Sequence, residues 1–420
     1  MKDYEGGLSR RSFIARAAAA LAAAGIGLSG APKALRASVG GQETPKPGAP
    51  AAPGMAPSAE KPRIKEYRQL GKTGWKVSDI SFGNGMMQEP SLLEYAMDRG
   101  INYVDTARQY FDMELVIGKI FPAKRDKLFV TTKLVPELFT PKTTVEEITT
   151  AIDESLKRLN TDYIDCAQIH SVGEDPGVSD PKKIQNQNIY TAFDKAKKAG
   201  KIRNWGASSH GPRMIEDFNW LLDNTPIDLI QPGMNFMTKG LEPVLEKAHA
   251  KGVAVVAMKS LAASRKIDYK PFMREGYTVR QAVLKWMLAH QSLDSVCLTM
   301  RNVEQIDEYV AASGHPELTP EEKKALHGYG MLLDGDYCRP GCSGCLAACP
   351  SGVPIAEILR YRLYFDTYGE EKRAISLYRK LPESKRAGAC ESCLAPCEAS
   401  CPFSLAIRSK LSRAHAELTV

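Results

Sequence analysis

From Ile80 onward the chain alternates short apolar runs with longer stretches of helical period, and it does so eight times. The runs are Ile80 to Phe82, Tyr103 to Asp105, Leu128 to Lys133, Ile164 to His170, Asn204 to Ser208, Leu229 to Gln231, Val253 to Lys259 and Ser295 to Thr299. Such alternation predicts parallel strands joined by crossover helices, because parallel neighbours cannot be linked by a tight turn. The clearest helix is predicted over Thr144 to Leu159, where Val145, Ile148, Ile152, Leu156 and Leu159 share one face. Eight strand–helix pairs point to an α/β fold of the closed (β/α)8 TIM-barrel type rather than an open sheet. No Gly-rich dinucleotide fingerprint follows an early strand, which also disfavours the open sheet. Just ahead, "YRQLGKTGWKVSDISFGNG" predicts a hairpin turning at Gly71 to Gly74.

A chain of 420 residues exceeds one barrel, and its ends differ in composition from its middle. Ser9-Arg10-Arg11-Ser12-Phe13-Ile14 and the Ala-rich apolar stretch after it resemble a twin-arginine export signal, assigned to residues 1–37. Leu35-Arg36-Ala37 matches a small-residue cleavage site only loosely, so a cleaved signal and an uncleaved membrane anchor both stay open. Export by this route implies a periplasmic or cell-envelope location. Residues 38–62, rich in Pro, Ala and Gly, read as a disordered linker. The barrel is expected over 63–316, a connecting helix over 317–335 and a cysteine-rich domain over 336–420. The 56 basic and 49 acidic residues are interspersed, without the basic blocks of nucleic-acid binders, so no nucleic-acid partner is expected.

Hydride reduction of a carbonyl needs a proton donor beside the developing alkoxide. The strand-end residues include a set that meets this need. Tyr110, just past the second strand, can donate, and a lysine beside a phenol stabilises the tyrosinate; Lys133 is placed for that role. Asp105 can hold the lysine charged and oriented, and His170 can hydrogen-bond and polarise the substrate carbonyl. Lys259, at the seventh strand end, leaves a Schiff-base lyase open as an alternative chemistry.

Eight of the ten cysteines fall in two runs, Cys338-x3-Cys342-x2-Cys345-x3-Cys349-Pro350 and Cys390-x2-Cys393-x3-Cys397-x3-Cys401-Pro402. These resemble the bacterial ferredoxin run that holds [4Fe-4S] clusters, each with one gap lengthened. One or two such clusters are expected as metal sites, and in two-cluster ferredoxins the Cys before Pro serves the opposite cluster, which would cross Cys349 and Cys401 over. Zinc in two four-thiolate sites and disulfides are the other readings of the spacing. Helical periodicity in "IAEILRYRLYFDTYG" and "EEKRAISLYRKL" points to a C-terminal helical ferredoxin-like domain. Cys166 and Cys297, isolated in strand-like runs, read as apolar filler.

Through "LGKTGWKVS", "GINYVDTARQY", "VTTK" and "IDCAQIHS", the segment from about Tyr67 to Val310 resembles an aldo-keto reductase, of a ferredoxin-bearing branch. The resemblance implies NADPH or NADH across the C-terminal face of the barrel, with Asp105, Tyr110, Lys133 and His170 as the catalytic set. It implies that Ser208, Ser209 and Gln231 hold the nicotinamide carboxamide. Met258 stands where the family often has a stacking aromatic, and Lys259 braces the nicotinamide side. Arg301 and Asn302 would meet the adenosine 2′-phosphate, with Gln305 and Glu308 near the adenine. The implied partners are a small-molecule carbonyl or alcohol substrate and, because a cluster passes single electrons whereas NADPH gives up hydride, a further redox partner protein. An electron-transfer or redox-sensing protein that merely retains the barrel is the other reading.

Overall fold

The computed structural model describes residues 60–83, 87, 89–173, 180–261, 278–314 and 317–419. The expected export signal and the linker as far as residue 59 lie outside the described residues.

A two-stranded hairpin comes first, β1 (Tyr67–Gln69) and β2 (Lys76–Ser78), paired antiparallel with Tyr67 opposite Ser78. Its turn passes Gly71 at φ +47°, where a Cβ would stand 2.5 Å from the Ala254 backbone nitrogen. Only glycine fits there, because both the left-handed backbone and the close approach exclude a side chain. The hairpin closes the N-terminal end of the barrel. Leu70 and Val77 bury completely beside Tyr103, Phe129, Cys166 and Cys297, and Tyr103 stacks on Phe129 with ring centroids 5.6 Å apart. Cys166 and Cys297 are thus small fillers in this plug.

Eight parallel strands close the barrel in the order β10-β3-β4-β5-β6-β7-β8-β9. They are β3 (Ile80–Gly83), β4 (Tyr103–Asp105), β5 (Phe129–Leu134), β6 (Ile164–Ile169), β7 (Ile202–Ser209), β8 (Leu229–Pro232), β9 (Ala254–Ala257) and β10 (Ser295–Thr299). Every expected strand is present, with ends moved by a residue or two. The two-residue shifts are at the start of β7 and at the end of β9, which stops before Met258 and Lys259. Lys259 takes φ +59°, a left-handed conformation that strand backbone cannot continue through.

The helix Val145–Leu159 begins where its sequence says it should. Thr144 accepts from Glu147 N at 3.2 Å while the Glu147 carboxylate accepts from Thr144 N at 2.8 Å, a reciprocal capping box worth about 1 kcal/mol. Asn160 ends it in the left-handed region at φ +49°.

The connecting helix Pro320–Leu333 leads into a C-terminal domain with its own core. Helices Ile355–Asp366, Glu371–Arg379 and Ile407–Leu418 bury Ile358, Tyr361, Ala374, Tyr378 and Leu411 between them. This domain is seated on the C-terminal face of the barrel. Lys380 Nζ donates to Glu137 at 2.7 Å, and Asn235 Nδ2 donates to the Tyr337 hydroxyl at 3.2 Å. Leu363 packs on the barrel core. Among the described residues, no helix is long and apolar enough to cross a membrane.

Candidate active site

Strand register brings the first two groups together. Asp105 ends β4 opposite Thr131 of β5, and Lys133 follows two residues on, pointing to the same face. Lys133 Nζ donates to Asp105 Oδ1 at 2.5 Å and to the Thr106 carbonyl at 3.0 Å, while the Thr131 hydroxyl donates to the same Asp105 oxygen at 2.8 Å. Lys133 is wholly buried. Burial pushes its ammonium toward the neutral form, but the Asp105 carboxylate, and then Tyr110, outweigh it and hold Lys133 above its ordinary value. A buried charge is sustainable only with such a partner.

Tyr110 folds back over this pair because the loop turns at once: Tyr110 N donates to the Ala107 carbonyl at 2.9 Å, and Phe111 takes φ +46°. The Lys133 ammonium lies 5.6 Å from the Tyr110 ring centre. His170, one residue past β6, meets Tyr110 edge-on with centroids 5.8 Å apart. Burial, then the charges of Lys133, Arg373 and Lys259, push the His170 imidazole well below its usual range. It is neutral at physiological pH and so acts as a hydrogen-bonding group. The mouth therefore holds a phenol, a neutral imidazole and a buried ion pair, the parts needed to protonate and polarise a carbonyl oxygen.

Beside these lies a polar wall. Ser208 on β7 sits opposite Gln231 on β8. Both are fully buried, and the Ser208 hydroxyl and both amide atoms of Gln231 have no hydrogen-bond partner among the described residues. Gln168 is in the same state. Each such group costs about 1–3 kcal/mol if nothing meets it, so the wall suits a ligand carrying both donors and acceptors, as a carboxamide does. Gln168 was not among the expected site residues, although its place on β6 two residues before His170 puts both on the inner face.

The remaining expected cofactor residues are used in different ways. The Ser209 hydroxyl donates to the Val172 carbonyl at 2.5 Å and accepts from Gly211 N at 3.2 Å, so it braces two loops. Met258 bridges to Gly233 at the barrel rim. The Lys259 ammonium packs over the rings of Tyr364 and Tyr368 at 5.0 and 5.7 Å, a cation–π arrangement rather than an amine standing free as a nucleophile. Asn302 caps the helix Val303–Val310 by accepting from Gln305 N, and Gln305 Oε1 accepts from Arg301 N, each at 2.9 Å. Glu308 accepts from the Thr278 hydroxyl at 2.6 Å and from Arg280 at 3.0 Å. Arg301 reaches Glu370 of the C-terminal domain at 4.0 Å.

None of the ten cysteines forms a disulfide, which sets aside the disulfide reading of the two runs. Burial, then Cys345, Cys342, Glu357 and Cys401, push Cys338 up to about 12, and burial followed by Cys342 and Cys401 does the same to Cys345. Burial, then Cys349, Cys393 and Cys397, raise Cys390 to about 11. Cys397 is raised by burial and then by Cys349. Cys338 and Cys345 thus feel Cys342 and Cys401, and Cys390 and Cys397 feel Cys349 and Cys393, while Cys345 also feels Cys397. Among the described residues, no three His, Cys, Asp or Glu side chains are placed to hold a single metal ion.

Residues 80–266 match the profile of the Aldo/keto reductase family. The chain is 27% identical over 309 residues to the L-galactose dehydrogenase of Arabidopsis thaliana, across 64% of this chain and 94% of that protein. It is 25% identical over 302 residues to an uncharacterized oxidoreductase of Bacillus subtilis, across 62% of this chain and 95% of the relative. Among solved structures it resembles an aldo-keto reductase from Klebsiella pneumoniae in complex with NADPH, with a TM-score of 0.52 and 25% identity over 63% of this chain and 95% of that one.

Proposed function

We propose, on the premise that this barrel belongs to the aldo/keto reductase family and that the chain is an oxidoreductase of that kind, that it interconverts a small-molecule carbonyl compound and its alcohol with NADPH, or NADH, as cofactor. The observation that carries this reading is the convergence of Tyr110, neutral His170 and the buried Lys133–Asp105 pair at one barrel mouth. When bound, the nicotinamide supplies hydride to the carbonyl carbon. Tyr110 gives its phenolic proton to the carbonyl oxygen, completing the alcohol. Lys133 stabilises the negative charge left on the phenol oxygen, and Asp105 keeps that lysine charged. His170 hydrogen-bonds the same carbonyl oxygen and orients it. Ser208 and Gln231 fit the nicotinamide carboxamide.

Replacing Tyr110 by Phe tests the reading. NADPH-dependent reduction of an aldehyde should be lost while NADPH still binds; retained reduction would overturn it. Borohydride trapping of a substrate on Lys259 would instead favour the lyase.

The eight cysteines of the two runs, whose spacing resembles ferredoxin motifs, would hold one or two [4Fe-4S] clusters in the C-terminal domain. A cubane asks for four thiolates that each reach a separate iron, a wider spread than a single ion demands. When bound, such clusters pass single electrons, so with no flavin motif in the chain they serve as a structural brace for the domain or serve an external redox partner. Iron and sulfide analysis with a visible absorption spectrum tests this assignment: absence of both after anaerobic purification would count against it. Export through the Arg10-Arg11 motif belongs to the same reading, because that route carries proteins already folded around their cofactors. Cell fractionation of a chain with both arginines changed to Lys should show it retained in the cytoplasm.

A further inference from the structure

The C-terminal domain contributes a charged side chain to the barrel mouth. Arg373, on helix Glu371–Arg379, places its guanidinium 5.9 Å from the centre of the Tyr110 ring and 4.8 Å from that of Tyr364. It is held from its own helix: Arg373 Nη1 donates to Glu370 at 2.8 Å, and among the described residues that is its one hydrogen-bond partner. A guanidinium carries five N–H donors, so most of the fork is unspent. About a third of the side chain, 34%, remains exposed. Glu370 also lies 4.0 Å from Arg301, so one carboxylate stands between two arginines and the three groups together stay positive.

The surroundings repeat this sign. Lys259, over the same Tyr364 ring, has no carboxylate partner among the described residues. Beside Lys259 and His210 a cavity of about 490 Å³ is lined by Arg360, Arg362 and Arg413 as well as Asp336 and Asp366, and basic side chains outnumber acidic ones in its walls. The fields of Lys259 and Arg373 reach both His170 and His210. Arg373 and Lys259 face the same Tyr364 ring, at 4.8 and 5.0 Å, and an oxyanion there would pair with both cations through charge-assisted hydrogen bonds.

We propose that Arg373, with Lys259 as a second arm, is the specificity-determining contact of this enzyme, receiving a carboxylate carried by the carbonyl substrate. The substrate class is then an aldehyde or ketone acid, and the C-terminal domain completes the substrate pocket. This rests on the reductase reading above. It adds to it the claim that an arginine far along the chain from Tyr110 selects what Tyr110 protonates.

The test uses the full-length protein and a matched pair, terephthalaldehydic acid and its methyl ester, with NADPH oxidation as the readout. The wild type should prefer the acid in kcat/KM. Arg373→Gln should lower the acid-over-ester ratio by roughly 10-fold or more, chiefly through KM for the acid, because an interaction made equally in ground and transition state acts on binding. Arg373→Lys should keep part of the preference, and Lys259→Met should lose part of it. Equal wild-type turnover of acid and ester, or a ratio unmoved in Arg373→Gln, overturns the proposal.

If neither aldehyde oxidises NADPH, the reductase reading fails, and the anion site is judged separately by calorimetry with terephthalate. Binding to the wild type that is lost in Arg373→Gln supports the site; binding that is equal in both, or absent from the wild type, overturns it. An unchanged visible absorption spectrum and far-UV dichroism in Arg373→Gln guard against misfolding, and Arg373→Lys replaces it if those change.

Discussion

The Lys133 ammonium lies 2.5 Å from Asp105 Oδ1 with no part of the lysine side chain exposed. Removing the carboxylate charge while keeping its shape, as in Asp105→Asn, leaves a cation buried without a counter-charge, so the lysine sheds its proton and no longer stabilises the tyrosinate. The expected result is a fall in kcat of roughly 100-fold or more, the range for loss of general acid–base support, with NADPH affinity little changed. Steady-state kinetics and fluorescence titration with NADPH check both halves.

Ser208 and Gln231 face one another across β7 and β8 with their polar atoms unmet. Ser208→Ala should weaken NADPH binding by roughly 5-fold to 10-fold, the equivalent of one hydrogen bond. Gln231→Leu should do so too, while raising thermal stability of the cofactor-free protein, because an unsatisfied buried amide is removed. A cofactor-free Tm that falls in Gln231→Leu would show that the amide has a structural role instead.

The pH dependence of stability carries a sign set by burial. Asp294, whose Oδ2 accepts from Gly71 N at 3.1 Å and Val255 N at 2.9 Å, is raised by burial to about 6. The folded state therefore binds a proton that the unfolded state, near 3.9, has already released. The stability this gives is present below about 4 and is lost as pH rises through 6. Asp294→Asn preserves the shape and both contacts, so it should be more stable than the wild type at pH 8 by roughly 1–3 kcal/mol, with little difference at pH 4. Urea denaturation at the two pH values measures this directly.

His170 behaves with the opposite sign. Its folded value lies well below 6.5, so the unfolded chain takes up a proton first and the stability contributed by the neutral ring is lost as pH falls below about 6.5. For catalysis the consequence is a pH profile of kcat/KM without an inflection at the ordinary imidazole value. An inflection near pH 6.5 that disappears in His170→Asn would show that the ring titrates in the working enzyme.

In the proposed [4Fe-4S] reading, the Cys before Pro serves the opposite cluster, which groups Cys401 with Cys338, Cys342 and Cys345, and Cys349 with Cys390, Cys393 and Cys397. Cys401→Ser should therefore perturb the same electron paramagnetic resonance signal as Cys338→Ser, and Cys349→Ser the same signal as Cys390→Ser. If Cys401→Ser instead groups with Cys390→Ser, each run of four is a site by itself.

Much of this was legible along the chain because periodicity is local. Alternating runs mark strands, Thr144 and Glu147 mark a helix start, and strand ends mark the catalytic face, each through contacts spanning a few residues. Gln168 was legible by the same rule, two positions before His170. What local pattern could not carry was side-chain occupancy. Ser209 and Glu308 have the right chemistry for a cofactor, yet the Val172 carbonyl and the Thr278 hydroxyl, brought close only by loop geometry, engage them.

The sequence by itself determined the barrel, the order Asp105, Tyr110, Lys133, His170 along it, and the two cysteine runs, because strand period and motif spacing survive without tertiary contacts. Only the tertiary structure decided that the helical domain sits over the mouth and sets Arg373 beside Tyr110. Such a contact depends on how two separately cored units dock through Glu137, Asn235 and Leu363. Docking is decided by surface complementarity between residues distant in the chain, and that leaves no periodic trace in either segment.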